Sequence, residues 1–147
     1  MSGCKNPKIY FASPWFSEEQ AEREERVKQK LRKMGWTVWS PKENCNLSPI
    51  SDDEIRDKVF SDNCSHIEEC DFVFAITDGK DMGTIWEAGY AYGKNIPVIY
   101  YCETLNGGYF NLMLAQSAYG VITSFDDLEQ FDEIIREGGR RYVGNIE

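Results

Sequence analysis

The sequence holds a single histidine, His66, among 147 residues. Acid or base chemistry near pH 7 must therefore fall to perturbed carboxylates or tyrosines. No CxxC pair occurs among Cys4, Cys45, Cys64, Cys70 and Cys102, which excludes a zinc ribbon and a thioredoxin-like motif. His66 lies between Cys64 and Cys70, but that stretch reads as helix and offers no fourth ligand. The thiols are read as ordinary buried side chains, and no metal or organic cofactor is expected. Long apolar runs are missing too. The longest, at 72–76 and 96–101, fall far short of the roughly 20 residues that a membrane helix needs. Positive charge is scarce: 16 basic against 25 acidic residues, net −9. Such a surface repels phosphate backbones and argues against nucleic acid as a partner, while a small neutral or cationic ligand meets no penalty. Residues 1–8 lack the apolar stretch of a signal peptide, so the expected location is cytoplasmic.

What is present is enough for one domain spanning 1–147. Hydrophobic residues reach 41% and aromatics 14%, which supports a packed core and excludes a disordered chain. No repeat, low-complexity segment or linker interrupts it.

The segment Lys8-Ile9-Tyr10-Phe11-Ala12 reads as a strand buried on both faces. Ser13-Pro14-Trp15-Phe16 ends it. Ser17 and Gln20 then have the spacing of a capping box opening a helix. Ala21, Val27, Leu31 and Met34 form its apolar side, the charged remainder is read as solvated, and Gly35 stops it. Residues 36–40 read as a second strand and 41–49 as loop. Ser51 and Glu54 suggest another capping box, with a helix to about Cys70 whose apolar positions include Ile55, Val59, Phe60 and Ile67. Residues 71–77 are the clearest strand. A turn-rich loop follows, then a short helix at 84–92, a strand at 96–101, a short helix at 109–118, a strand at 120–123 and a final helix at 126–137.

Strands alternating with helices predict an α/β fold with a parallel sheet covered on both faces. Five strands at this length suggest the flavodoxin-like, doubly wound order 2-1-3-4-5. Ligands of such sheets bind beyond the carboxyl ends of the strands near the switch point. The expected site is thus built from the loops after strands one, three and four.

The loop after strand three carries the most chemistry. It runs Asp78-Gly79-Lys80-Asp81-Met82-Gly83-Thr84-Ile85-Trp86-Glu87-Ala88-Gly89. Thr84 and Glu87 have capping-box spacing, which would tie Glu87 to the helix start. Against that stand the position of Glu87 at the mouth of the site and the presence of Gly89 in a helix interior, where Gly costs about 1 kcal/mol relative to Ala. Tyr10 could donate a hydrogen bond to a carboxylate there. A phosphate cradle is disfavoured: neither GxGxxG after strand one nor GxxxxGK[ST] occurs, and Asp78 and Asp81 would repel phosphate.

Ile9-Tyr10-Phe11-Ala12-Ser13-Pro14-Trp15-Phe16, Asp71 at the start of strand three, Asp81-x-Gly83-Thr84-x-x-Glu87-x-Gly89-Tyr90-Ala91 and Asn111-Leu112-Met113 together resemble the nucleoside 2-deoxyribosyltransferase family over about residues 8–123. The resemblance implies the flavodoxin-like sheet, a homo-oligomer, and cofactor-free transfer of 2-deoxyribose between nucleobases in nucleoside salvage. Its partners would be a small deoxynucleoside and a free nucleobase. Glu87 matches the nucleophile that forms a glycosyl ester, and Tyr10 would orient it. Asn63 matches the residue near the leaving base, where other members have Asp. An amide cannot act as a general acid, although it can hydrogen-bond a base. Asp62 is adjacent but turned by about 100° on a helix, and both residues equally suit a solvated helix surface.

Asp81 matches the residue that binds the sugar 5′-hydroxyl, or is an ordinary turn aspartate. A carboxylate about 4 Å from a phosphate would be repelled by roughly 1–4 kcal/mol, which favours nucleosides over nucleotides. Ala12 and Gly83 belong to the matched substrate-binding motifs. Trp15 and Phe16 either stack on a base or pack in the core or an interface. Asn111 and Met113 match residues lent to a neighbouring subunit's site; they also suit a helix cap and a core filler. Glu43 and Asn44, after strand two, are candidates for reading the base. A hydrolase of the same fold and a non-catalytic nucleoside- or nucleotide-binding module are the alternatives.

Overall fold

The computed structural model describes residues 7–45 and 47–147. Cys4 lies outside the described residues. The elements run β1 (Lys8–Ala12), α1 (Glu18–Lys33), β2 (Thr37–Trp39), α2 (Pro41–Asn44), α3 (Asp53–Glu69), β3 (Phe72–Ile76), α4 (Met82–Gly93), β4 (Val98–Tyr101), α5 (Leu112–Ser117), β5 (Gly120–Ile122) and α6 (Gln130–Glu137). The five strands are parallel in the order β2-β1-β3-β4-β5, as the alternation of strands and helices predicts.

Strand alternation divides the core in two. Ile9 and Phe11 point to one face with Val27 and Leu31 of α1 and Phe131 and Ile134 of α6. Tyr10 and Ala12 point to the other, with Ile67 of α3, Ala88 and Ala91 of α4 and Ala115 of α5. Each fully buried aliphatic or aromatic side chain contributes about 1.5–3 kcal/mol. Gly120 is required on the first face, since a Cβ there would stand 2.8 Å from Ile134. Residues 110–112 hydrogen-bond the C-terminal segment through Phe110 N to Asn145 O and Leu112 N to Glu147 O, both at 2.9 Å.

Several expected boundaries move. The segment after β2 is not all loop, because Pro41 takes the first position of the short α2, where its missing N–H costs nothing. Ser17 caps α1 as expected, but Gln20 reaches the Phe16 N–H rather than that of Ser17. Asp52, not Ser51, caps α3, and the Ser51 hydroxyl accepts instead from Ser48 N at 2.8 Å. The final helix starts at Gln130, later than expected.

The largest correction concerns α1. Its charged side is not simply solvated: Arg23, Glu24 and Lys28 are buried. Lys28 Nζ lies 3.0 Å from Glu24 and 2.9 Å from Glu43. The Ser40 hydroxyl donates to Glu24 at 2.8 Å. Arg23 and Arg26 approach Glu103, after β4, at 3.2 and 2.9 Å. The thiols also differ from expectation, since only Cys70 of the four described is buried. Among the described residues no three His, Cys, Asp or Glu converge as a metal site, and no helix is long and apolar enough to cross a membrane.

Candidate active site

Tyr10 stands mid-strand in β1 and is fully buried, and its hydroxyl donates to Glu87 Oε2 on α4. The sheet's alternation aims the phenol at α4, and the helix brings the carboxylate back over the carboxyl end of β1. Glu87 is not a capping residue. The cap of α4 is Asp81, three residues before the expected Thr84, so Glu87 lies beyond the first turn. Asp81 Oδ2 accepts from both Thr84 N and Thr84 Oγ1, at 2.9 and 3.0 Å. Gly83 makes room for that carboxyl, since a Cβ there would come within 3.3 Å of it.

Burial raises the pKa of Glu87, the Tyr10 hydrogen bond lowers it, and the Asp81 charge raises it, leaving it near 7. The phenol of Tyr10 is pushed well above its ordinary range by burial and then by the facing carboxylate. It is therefore a permanent donor. Glu87 is thus a carboxylate held in place by one hydrogen bond while remaining poorly neutralised, a state suited to nucleophilic or electrostatic chemistry.

The other predicted residues are placed as follows. Ala12 ends β1 on the same face as Tyr10, and its buried Cα pairs with Ala75. Trp15 is half-buried, and its ring centroid lies 5.0 Å from that of Phe16, which is 72% exposed. Asn63 is partly buried on α3. The adjacent Cys64 thiol is pushed up by burial and then by the charges of Glu68 and Glu87, so this part of α3 borders Glu87. Asp62 is committed to a surface pair with Lys58 at 2.8 Å. Glu43 is held by Arg32 at 2.7 Å as well as by Lys28, and Asn44 donates to Ser40 O at 2.8 Å. Both are exposed, with polar atoms held by these partners.

Asn111 caps α5, accepting from Leu114 N at 3.1 Å. Met113 is 74% exposed and fills no core gap. Both line a cavity of about 570 Å³ with Thr77, Thr104, Ile85 and Leu114, and Tyr10, Asp81 and Glu87 are not among its lining residues. Asp78 is buried and joins the loops after β3 and β4, accepting from Thr104 N at 2.8 Å and Thr104 Oγ1 at 2.7 Å.

The family model for nucleoside 2-deoxyribosyltransferases matches residues 9–119. The 2-deoxyribosyltransferase of the psychrotolerant bacterium Bacillus psychrosaccharolyticus is similar at 33% identity and a TM-score of 0.78, covering 92% of this chain and 99% of that one. This chain belongs to the nucleoside 2-deoxyribosyltransferase family. A conserved protein of Enterococcus faecalis V583 shares the fold at 23% identity and TM-score 0.73, over 90% of this chain and 99% of its own. The CMP N-glycosidase of Clostridium botulinum shares it at 18% identity and TM-score 0.53, over 86% and 98%. No curated protein sequence matches the chain.

Within this deoxyribosyltransferase-family chain, the motif residues fall into two groups. Tyr10, Ala12, Asp81, Gly83 and Glu87 gather where β1 meets α4. Asn111 and Met113 line the cavity between the loops after β3 and β4, which Ile85 of α4 also lines. Sequence reading overlooked Trp39, whose ring stacks on Tyr10 with centroids 5.2 Å apart. The available signal was positional: Trp39 follows Val38 as Tyr10 follows Ile9, so in paired parallel strands the two rings share a face.

Proposed function

We propose that this chain is a nucleoside 2-deoxyribosyltransferase in which Glu87 is the covalent nucleophile. The observation that carries the reading is the buried phenol of Tyr10 donating to Glu87, a carboxylate with no cationic partner among the described residues. A Glu87 oxygen attacks the anomeric carbon, the C1′–N bond breaks, and its electron pair leaves with the base, which takes up a proton. A nitrogen of the second base then attacks C1′, the ester bond to Glu87 breaks, and the incoming base loses its proton. Two inversions give net retention. Tyr10 orients the carboxylate, and Asn63 hydrogen-bonds the base. Asp81 takes the 5′-hydroxyl, and with Glu87 nearby it favours a free nucleoside over a phosphorylated one. Ala12 and Gly83 line the sugar, and Trp15 and Phe16 flank the base.

The match of Asn111 and Met113 to residues that the family lends to a neighbouring subunit supports a homo-oligomer in which each copy completes its neighbour's site. Exposed apolar side chains at Phe16, Met82 and Met113 supply surface for that contact. The enzyme is read as cytoplasmic.

Incubating the protein with deoxyinosine and excess adenine or cytosine, and following bases and sugar by chromatography, tests this. A new deoxynucleoside that vanishes in Glu87→Gln, with turnover down at least about 10³-fold, is expected. Free deoxyribose alone would make the protein a hydrolase. No turnover, with deoxynucleoside monophosphates also inert, would leave a binding module. Mixing inactive Glu87→Gln with Asn111→Ala under subunit exchange should restore part of the activity, and failure to do so would refute shared sites.

A further inference from the structure

The only histidine is packed into the support of the reacting pair. Trp39 ends β2 opposite Tyr10 in the parallel register, and its indole stacks on the phenol at 5.2 Å with planes 29° apart. The His66 ring, from α3, stacks on the same indole at 3.9 Å and 15°. His66 Nδ1 is buried without a hydrogen-bond partner. The other such atom among the described residues, Arg23 Nε, still lies 3.2 Å from the Glu103 carboxylate. An orphaned buried nitrogen is costly and calls for an explanation. The contact this ring makes is a face-to-face stack on the indole.

The indole is also anchored from behind. Ser40, the residue after Trp39, is fully buried and donates to Glu24, whose partner Lys28 is buried in α1. The backbone carrying Trp39 is thus held from α1 and its ring from α3. Tyr10, against that ring, has little freedom to swing its hydroxyl away from Glu87.

We infer that His66 and Trp39 are positioning residues, a ring stack that pins the Tyr10 phenol on the Glu87 carboxylate. The inference rests on the reading of Glu87 and Tyr10 as the reacting pair. Aromatic stacking of this kind contributes beyond simple burial. Small misplacements of catalytic groups carry large rate penalties, about 100-fold for 1 Å.

The test uses the intact protein with His66→Ala, His66→Leu and His66→Phe, and with Tyr10→Phe as reference. First, the Glu87 carboxyl is titrated without substrate by infrared difference spectroscopy, identified by its loss in Glu87→Gln. Tyr10→Phe should move the midpoint upward. His66→Ala and His66→Leu should move it part of the way in the same direction, and His66→Phe, which keeps a flat ring, should hold it at the wild-type position. Second, in the base-exchange assay, kcat should fall about tenfold in the Ala and Leu variants with KM within twofold, and His66→Phe should recover it. Leu fills the volume without a flat ring, so circular dichroism of that variant separates lost packing from lost stacking. A wild-type midpoint in a folded Ala or Leu variant would overturn the inference. So would a Phe variant as impaired as Ala, which would point to the imidazole's polar chemistry. Absence of any base exchange in the wild type would fail the functional reading alone, because the substrate-free titration still decides the role of the stack.

Discussion

Two sets of carboxylates lie on opposite faces of the same sheet and are handled in opposite ways. On the α1 side, Glu43 is gripped by Arg32 and Lys28, which bring its pKa down to about 2 against the counter-effect of burial. Burial pushes Glu103 upward, but Arg26, Tyr101 and Arg23 outweigh it and bring it to about 2. On the α4 side, Glu87 has a phenol and a neighbouring carboxylate, no cation among the described residues, and a pKa near 7. Carboxylates that hold a fold together are saturated with partners. Glu87, the proposed nucleophile, is left underpaired, and the native state bears the cost.

Removing one partner on the saturated side should have the largest effect on stability. Lys28→Met leaves the buried Glu24 with only the more distant Lys42, 3.9 Å away, and Glu24 and Lys28 are both 1% exposed. A loss of about 3–5 kcal/mol is expected in urea unfolding. Adding Glu24→Gln should recover part of it through coupling of the two sites; simple additivity would mean that the pair is not a unit.

The underpaired side should respond in the opposite sense. Glu87→Gln should stabilise the protein at pH 8, by up to about 3 kcal/mol, since its pKa rises from 4.5 to about 7 and each unit corresponds to about 1.4 kcal/mol. The pH dependence follows from the signs. The folded pKa of Glu87 is raised, so its stability contribution is full below about 4.5 and is lost as pH climbs through 7. Glu43 and Glu103 are lowered, so theirs is present above 4.5 and is lost as pH falls toward 2. Wild-type stability should therefore decline from pH 4.5 to 7, and Glu87→Gln should flatten that limb alone. A decline that survives the substitution would assign it to other groups. Activity should rise across the same range in kcat/KM, because the attacking form is ionised.

The smallest effect is expected at Asp81. Asp81→Ala removes the α4 cap, costing about 1 kcal/mol, and also removes a charge that raises Glu87. The acid limb of kcat/KM should therefore move to lower pH. An unmoved limb would separate the cap from the electrostatics of the site.

Much of this was legible along the chain. The strand order followed from alternating strands and helices, because a right-handed crossover leaves few topologies. The contact of Tyr10 with Glu87 was legible because β1 and β3 are neighbours and the helix after β3 packs back over them. The start of α4 was not. Asp81 and Thr84 are both good caps, and local chemistry does not choose between them. The turn after β3, with Gly79 at φ +82, determines where the helix begins.

Sequence alone thus determined the sheet, its faces and the pair of residues that meet over β1, since these depend on periodicity and on loops tied to strand ends. Tertiary structure alone decided that Lys28 and Glu24 are buried rather than solvated, that Glu43 pairs with Lys28 and Arg32, and that Trp39 and His66 stand behind Tyr10. A charged or aromatic side chain takes its environment from partners distant in the chain. Ser40 and Glu43 for α1, and α3 for Trp39, come within reach only once the sheet has formed.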